Sequence, residues 1–261
     1  MFAPVSCRAW HRLVFWLLLG ALTRLGAQVT ETPSTMAPGR FLLRVDAITI
    51  GVDSDHSSPK TYTALGLASA LLSTGVTRDL DVQFGMQFFL RQTYQYQGAS
   101  RTSSGRGDTT IRAKYTFWRD PARGAAMAVI PYVKLPSNTG GVGNNHTEGG
   151  LIVPWAMSLG HGTEVGAMAQ WDVLRDASNT GYDSRWLVTA FAKQHLVGSL
   201  GVYAETTLAV SSASLSSFTG GIGGGATLDV SKYLQFDYGL SRGLGNRATD
   251  WINVLRVRWQ F

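Results

Sequence analysis

Cysteine, charge and long apolar runs are all scarce in this sequence, and each scarcity excludes a class of protein. The 261 residues include one cysteine, Cys7, and only 15% are charged, where a soluble domain usually carries about 25%. Cys7 lies in an N-terminal segment that we expect to be removed, so the mature chain would have no disulfide, thiolate metal site or cysteine nucleophile. A transmembrane helix needs about 20 apolar residues, and only the N-terminus has a run near that length. A helical membrane bundle is therefore excluded.

The N-terminal apolar run has the form of a secretory signal peptide. It extends from Leu13 to Leu22, follows Arg8 and Arg12, and is succeeded by the small-residue exit Leu25-Gly26-Ala27. A basic start, a short apolar core and a small-residue exit predict a signal peptide over 1–27, whereas a helical anchor would need a longer run. Residues 28–39, rich in Thr and Pro, are predicted to be a flexible lead-in, and 40–261 to form one domain.

From Phe41 onward the hydrophobic pattern has a period of two, which is typical of strands with one apolar and one polar face. About twelve such segments follow one another, an even number as bacterial single-chain barrels require. Most span about ten residues or more, where soluble strands average 5–6. We therefore predict an all-β fold, a transmembrane antiparallel up-and-down β-barrel of about twelve strands. The segment 60–74 fits either facing.

Connections and aromatic residues support a barrel in the outer membrane. Short turns alternate with longer polar or glycine-rich loops, which is the pattern of periplasmic turns and external loops. The predicted loops are 52–60, 94–106, 136–147, 175–182 and 211–220. Aromatic residues cluster near segment ends, where they favour membrane interfaces; in a soluble β-sandwich, the alternative, the same rings would fill a core. The expected partners are outer-membrane lipids, a small-molecule solute, and the barrel-insertion machinery, through the C-terminal strand that ends at Phe261.

Three short segments carry a resemblance to a known family. Gly105 to Tyr115 reads GRGDTTIRAKY, Ile130 to Ser137 reads IPYVKLPS, and Thr74 to Leu80 reads TGVTRDL. These resemble a transporter-like outer-membrane family named for the meta-pathway of phenol degradation, although its usual KLPTG is here KLPS. The resemblance runs from about the second strand to Phe261. It implies a barrel associated with uptake of small, often hydrophobic compounds.

Charged residues on the polar strand faces are predicted to line the lumen, because a lipid-facing Arg or Lys near mid-membrane would cost about 2–4 kcal/mol. The basic set is Arg44, Arg91, Arg112, Lys114, Lys134, Arg185, Lys193, Arg256 and Arg258. The acidic set is Asp46, Asp81, Glu164, Asp172, Glu205, Asp229 and Asp237. Tyr132, Phe191 and Tyr203 add aromatic lumen surface that could stack on a ring-bearing solute or simply pack.

The function predicted from these features is passive passage of small molecules through a mixed-charge lumen. About twelve strands lie between a packed eight-stranded barrel and an aqueous pore of 16–18 strands. The dense basic set around Arg112, Lys114, Arg256 and Arg258 suggests a bias toward anionic solutes. The alternative is a sealed structural or anchoring barrel, in which the charges form a paired ladder that fills the lumen.

An enzyme is the less favoured alternative. Outer-membrane phospholipases carry a His-x-Ser-Asn-Gly segment, and the nearest stretch here, Asn145 to Gly149, lacks the serine nucleophile. No catalytic residues, metal ligands or cofactor are predicted, since the histidines are scattered and no carboxylates have ligand spacing. The formal net charge of +6, without a basic helix or stripe, gives no reason to expect nucleic acid.

Overall fold

A computed structural model describes residues 29–55, 60–176, 178–212, 214–245 and 248–261. The predicted signal peptide, residues 1–27, lies outside the described residues. The described part forms thirteen strands: β1 (Phe41–Asp55), β2 (Lys60–Gly75), β3 (Leu80–Tyr96), β4 (Ala99–Gly105), β5 (Thr109–Asp120), β6 (Ala125–Leu135), β7 (Glu148–Gly160), β8 (Thr163–Arg175), β9 (Tyr182–His195), β10 (Leu200–Ser211), β11 (Ser214–Asp229), β12 (Leu234–Leu244) and β13 (Trp251–Gln260).

The strands close into an antiparallel barrel with twelve positions, which confirms the predicted fold. Apart from β4 and β5, which do not pair with each other, consecutive strands are paired, and β1 pairs with β13 to close the ring. Strands β4 and β5 share one position, because β3 pairs with β5 over Leu80 to Met86 and with β4 over Leu90 to Tyr96. The described strands therefore form a closed ring, as a spanning sheet requires in lipid, and only β4 has a neighbour on one side alone.

The β3–β4 hairpin explains why one predicted loop is a strand instead. Gln97 and Gly98 both have positive φ, 49° and 81°, which is the backbone of a two-residue type I′ turn. The chain therefore reverses at once after Tyr96 and continues as strand. The region 211–220, also predicted as a loop, is mostly strand, since β10 ends at Ser211 and β11 begins at Ser214.

The outer face of the barrel is an apolar band bounded by aromatic residues. Phe84, Ile111 and Val188 are about half exposed on this face. At one end Phe41 stacks on Phe261 with ring centroids 5.6 Å apart. Toward the other end Trp171 and Trp186 lie 6.4 Å apart. An apolar belt between aromatic girdles is the lipid-facing surface of an outer-membrane barrel.

The two ends of the barrel differ in their connections. The end that holds Phe41 and Phe261 has only short turns, 76–79, 121–124, 161–162, 196–199 and 230–233, and we call it the turn rim. The opposite end, the loop rim, carries the longest described connection, 136–147. By the outer-membrane pattern the turn rim faces the periplasm. Among the described residues, no helix is long and apolar enough to cross a membrane.

Strands β2 and β3 change facing halfway along their length. Tyr62 and Ala64 face inward on one side of Ala68, and Ser73 faces inward on the other, so the odd–even phase shifts. Ala68 has a φ of 53°, and neither it nor Phe88 has a ladder partner between the two strands. Because both residues are left out at the same level, the pairing register stays unchanged while the alternation of inward and outward side chains reverses beyond them. Segment 60–74 therefore uses both of the facings that its sequence allows.

Candidate functional site: the lumen and its lead-in segment

The inner face of the barrel carries the charged residues that alternation predicted, with one exception. Lys114, Lys134, Asp172 and Arg256 are all buried, at 8% exposure or less. The other charged residues at inward-facing strand positions are Arg44, Asp46, Asp81, Arg112, Glu164, Arg185, Lys193, Glu205, Asp229, Asp237 and Arg258. Tyr132, Phe191 and Tyr203 also face inward. The lumen is thus a polar interior inside an apolar shell.

Arg91 is the exception, and its predicted place in the lumen is wrong. It is exposed, lies between the buried residues Leu90 and Gln92, and is opposite Leu65 on β2. The alternation of β3 reverses at Phe88, so the odd positions that face inward before it face outward after it. Arg91 therefore lies on the outer face, in the part of β3 nearer the loop rim.

The segment that precedes β1 runs inside the lumen, and we call residues 29–39 the lead-in segment. The backbone N–H groups of Val29 and Thr30 donate to the two carboxylate oxygens of Glu205, at 2.9 and 2.7 Å. The Thr30 hydroxyl also lies 2.5 Å from the hydroxyl of Thr189. Thr30 is only 4% exposed. The sequence suggested a flexible segment here, but the structure gives it fixed partners on β9 and β10, while the domain boundaries remain predictions.

Glu31 places a carboxylate between two arginines of the barrel wall. Its Oε1 lies 2.9 Å from Nη2 of Arg44 and 2.9 Å from Nη2 of Arg112. Glu31 is 9% exposed, and the two guanidinium side chains are 24% and 11% exposed. The Arg44 contact is a charge-assisted hydrogen bond, a type that is shorter and stronger than a neutral one, and the Arg112 contact is an ion pair. Glu31 therefore compensates positive charge that β1 and β5 bring into the lumen.

Beyond Glu31 the lead-in segment continues toward the turn rim, and side chains of the barrel wall bind its backbone carbonyl groups. The Lys114 ammonium donates to the carbonyl oxygens of Thr32 and Ser34, at 2.8 and 3.2 Å. The Thr116 hydroxyl donates to the Pro33 carbonyl at 2.6 Å. The wall thus satisfies the carbonyl groups of an extended chain that has no ladder partner at these residues.

Asp81 and Gly75 hold the lower part of the lead-in segment at the turn rim. The Met36 N–H donates to the Asp81 carboxylate at 2.9 Å. A Cβ on Gly75 would lie 2.4 Å from the Met36 carbonyl oxygen, so glycine is required where the segment crosses β2. Residues 29–36 thereby fill the half of the lumen next to the turn rim, which we call the turn-side half.

The loop-side half of the lumen contains a buried ion cluster of its own. The Lys134 ammonium lies 2.9 Å from an Asp108 oxygen and 2.8 Å from a Glu148 oxygen. It also donates to the side-chain carbonyl of Asn144 at 3.1 Å. Asn138 donates to Asp108 through both its backbone and its side-chain amide. The connection 136–147 therefore folds toward the lumen and is tied to wall residues.

Two further charge pairs cross between neighbouring strands. Arg185 on β9 meets Asp172 on β8 at 2.8 Å, and the Tyr132 hydroxyl also contacts Asp172. Arg256 on β13 meets Asp46 on β1 at 2.5 Å. Each pair satisfies charges within the wall.

A cavity of about 150 Å³ lies beside the lead-in segment and extends toward the loop rim. Its charged lining consists of Glu31, Arg44, Asp46, Asp108, Arg112, Lys134, Glu148, Arg185 and Arg256. Tyr132 contributes an aromatic surface, and Leu71, Leu90 and Leu174 add apolar ones. The cavity can accommodate a small solute that has a polar and an apolar part.

An apolar cluster also faces inward on β6, β7 and β8. Ile130, Ile152 and Met168 are 2% exposed or less, and Tyr132 and Leu187 pack against them. The Glu31 N–H lies 3.4 Å from the Met168 sulfur. The lumen is consequently not uniformly polar: one side of the lead-in segment contacts arginines and the other an apolar wall.

The most important residue that the sequence did not reveal is Glu31. It was hidden because the lead-in segment has no strand periodicity from which facing could be deduced. The one available signal is that Glu31 is the only acidic residue in 28–39. Asp108 and Glu148 were likewise not placed in the lumen, because each lies at the edge of a strand pattern.

The described residues offer no metal centre, since no three His, Cys, Asp or Glu side chains are grouped to hold an ion. His146, the candidate of the enzyme alternative, lies in the connection 136–147, where its backbone N–H donates to Asn144 at 3.2 Å. No described contact links it to a nucleophile.

Comparisons with known proteins agree with this geometry. The family model described as "Putative MetA-pathway of phenol degradation" matches residues 34–261. A comparison with curated protein sequences found no match.

Among solved structures, an outer-membrane channel from Pseudomonas putida F1 aligns with a TM-score of 0.68 at 14% identity, covering 87% of this chain and 97% of the other. The NanC porin aligns with a TM-score of 0.51 at 13% identity, covering 85% and 98%. The translocator domain of the autotransporter NalP from Neisseria meningitidis aligns with a TM-score of 0.58 at 9% identity, covering 99% of each chain. At these identities the likeness shows the fold, which is the barrel of outer-membrane channels.

Proposed function

This chain belongs to the family described as the putative MetA-pathway of phenol degradation, and from that premise we propose that it is an outer-membrane channel for passive uptake of small molecules. The observation that carries the proposal is the cavity inside the closed barrel, lined by charged, aromatic and apolar side chains. A sealed wall would not require such a lining. No covalent step or cofactor is needed for passage.

The lining supports solutes that combine a ring with a polar group. Tyr132 and the apolar cluster of Ile130, Ile152 and Met168 offer surface for an aromatic or hydrophobic part. The arginines and carboxylates of the cavity offer partners for a polar part. This combination favours small amphiphilic compounds over purely aliphatic ones.

Passage requires the lead-in segment to leave the turn-side half of the lumen. Residues 29–36 now occupy that half through bonds to Glu205, Arg44, Arg112, Lys114, Thr116 and Asp81. The segment has no ladder pairing apart from one isolated bridge between Pro38 and Gly75. Its departure would therefore leave the barrel wall intact.

The test is single-channel conductance of the mature chain, residues 28–261, in a planar bilayer. We expect brief, rare openings for the full mature chain and long, larger steps for a variant that lacks residues 29–36. Both proteins must first show the heat-modifiable migration of a folded barrel. If the truncated barrel is folded and inserted but passes no current, the channel proposal is wrong.

The packing of the lead-in segment also favours a second candidate, a sealed structural barrel. In that case residues 29–36 would be a permanent filling. Liposome swelling with small neutral and charged solutes separates the two candidates, because a sealed barrel admits none of them in either the full or the truncated form.

A further inference from the structure

Glu31 binds where a solute carboxylate would bind. Its carboxylate lies 2.9 Å from Nη2 of Arg44 and 2.9 Å from Nη2 of Arg112. Both arginines line the cavity together with Glu31. A small molecule in the cavity therefore has direct access to the two guanidinium groups as soon as Glu31 moves aside.

The net positive charge of the cavity lining increases when Glu31 leaves. Its lining has five basic side chains, Arg44, Arg112, Lys134, Arg185 and Arg256, against four acidic ones, Glu31, Asp46, Asp108 and Glu148. Three of these acids belong to strands or to the connection that precedes β5, and contact Arg256 or Lys134. Glu31 alone belongs to the lead-in segment. Its departure leaves five positive charges against three negative ones, which favours entry of an anion.

The two arginines suit a carboxylate better than a simple halide. A guanidinium is planar and presents paired N–H donors that match the two oxygens of a carboxylate. Glu31 uses this match, since both of its oxygens face Arg44, at 2.9 and 3.5 Å. The Tyr132 ring in the same cavity lining provides surface for a flat organic group.

We propose that Arg44 and Arg112 form a binding site for the carboxylate of a small organic anion, and that Glu31 occupies this site in competition with the solute. The inference rests on the proposed function, because it names the solute class that the channel takes up. Binding of the solute displaces Glu31, and with it the part of the lead-in segment that closes the turn-side half.

The test uses benzoate as the probe, with neutral benzamide as its matched control. Isothermal titration of the folded mature chain and of Glu31→Gln compares the affinity for each compound. We expect benzoate to bind Glu31→Gln at least about tenfold more tightly than it binds the unmodified protein, because a competing charge-assisted contact is removed. Benzamide should bind both proteins equally. Asp120→Asn removes a carboxylate at the turn-rim end of β5, outside the cavity lining, and should leave benzoate affinity unchanged.

Two results would overturn the proposal: equal benzoate affinity in the two proteins, or equal affinity for benzoate and benzamide. Adding Arg112→Gln to Glu31→Gln should abolish the gain in affinity, and a retained gain would place the anion elsewhere. Because titration measures binding without current, a barrel that binds benzoate but never conducts contradicts the channel proposal alone.

A second measurement keeps Glu31 in place and follows displacement directly. The mature chain is expected to contain no cysteine, so Thr30→Cys introduces a single thiol at a position that is 4% exposed. We expect benzoate, and not benzamide, to increase the rate at which a water-soluble maleimide labels this thiol by several-fold. An unchanged labelling rate at saturating benzoate would show that solute and Glu31 do not compete.

Discussion

The turn-side and loop-side halves of the lumen are formed by the same strands, but they satisfy their charges in different ways. In the loop-side half, Lys134 contacts Asp108 and Glu148, both close in sequence to the wall strands. In the turn-side half, Lys114 is bonded to the backbone of the lead-in segment, and Arg112 to its Glu31. The loop-side ammonium group is therefore paired with carboxylates of the strands and their connections. The turn-side charges are instead paired with the lead-in segment, which lies outside the strand ladder.

The largest expected effect comes from breaking the loop-side cluster with Lys134→Met. Asp108 and Glu148 are buried and would face each other without the ammonium group. Removing one partner of a buried ion pair typically costs about 3–5 kcal/mol. We expect a loss of this order in the free energy of unfolding, measured by urea titration in lipid vesicles.

Lys114→Met is the counterpart of that change in the turn-side half. Its bonds end on the carbonyl groups of Thr32 and Ser34, in a segment outside the strand ladder, so the loss of stability should be clearly smaller than for Lys134→Met. Equal losses would mean that the lead-in segment is as integral to the fold as the loop-side cluster.

A substitution at Gly75 should distinguish the two halves of the lumen, because it displaces the lead-in segment and leaves the loop-side cluster in place. A Cβ at this position would lie 2.4 Å from the Met36 carbonyl oxygen and 2.5 Å from that of Ala37. We expect Gly75→Ala to raise the open probability several-fold in planar bilayers while the unfolding free energy changes little.

The control is Gly220→Ala on β11, outside the cavity lining, where the new Cβ would be 3.7 Å from Leu244 and from the Thr207 carbonyl oxygen, ordinary contacts. The interpretation fails if Gly220→Ala opens the channel as much as Gly75→Ala does.

A moderate effect is expected for ion selectivity when Arg112 is neutralised. Arg112→Gln removes a positive charge from the lumen and should shift the reversal potential in a salt gradient toward cation preference. A shift toward anions would contradict a role for this arginine in selectivity.

The smallest effect is expected for Arg91→Gln. Arg91 is exposed on the outer face, so its neutralisation should leave the reversal potential unchanged in the same measurement. A shift comparable to that of Arg112→Gln would place Arg91 in the conduction path after all.

The sequence predicted the lumen wherever strict alternation continued through a strand. Strand β5 is the clearest example, since Arg112, Lys114 and Thr116 all face inward as expected. Alternation carries this information because successive side chains point to opposite faces. The barrel, its closure at Phe261 and most of its charged lining follow from that one regularity.

The parts that could not be predicted depend on contacts between distant segments. The reversal of facing that turns Arg91 outward accompanies an interruption of the β2–β3 ladder at Ala68 and Phe88. The lead-in segment has no period, and its position is set by residues as remote as Thr189 and Glu205. Likewise, the inward fold of the connection 136–147 depends on Asp108, Lys134 and Glu148 meeting in space.

The attachment of the lead-in segment to β1 has an evolutionary consequence. The barrel wall is fully paired from β1 to β13 without it, so substitutions in residues 29–36 are largely released from the constraint of keeping the barrel folded. For a channel of the proposed kind, natural variation in this short stretch would therefore change which solutes gain entry, and how readily, while the same barrel is inherited unchanged.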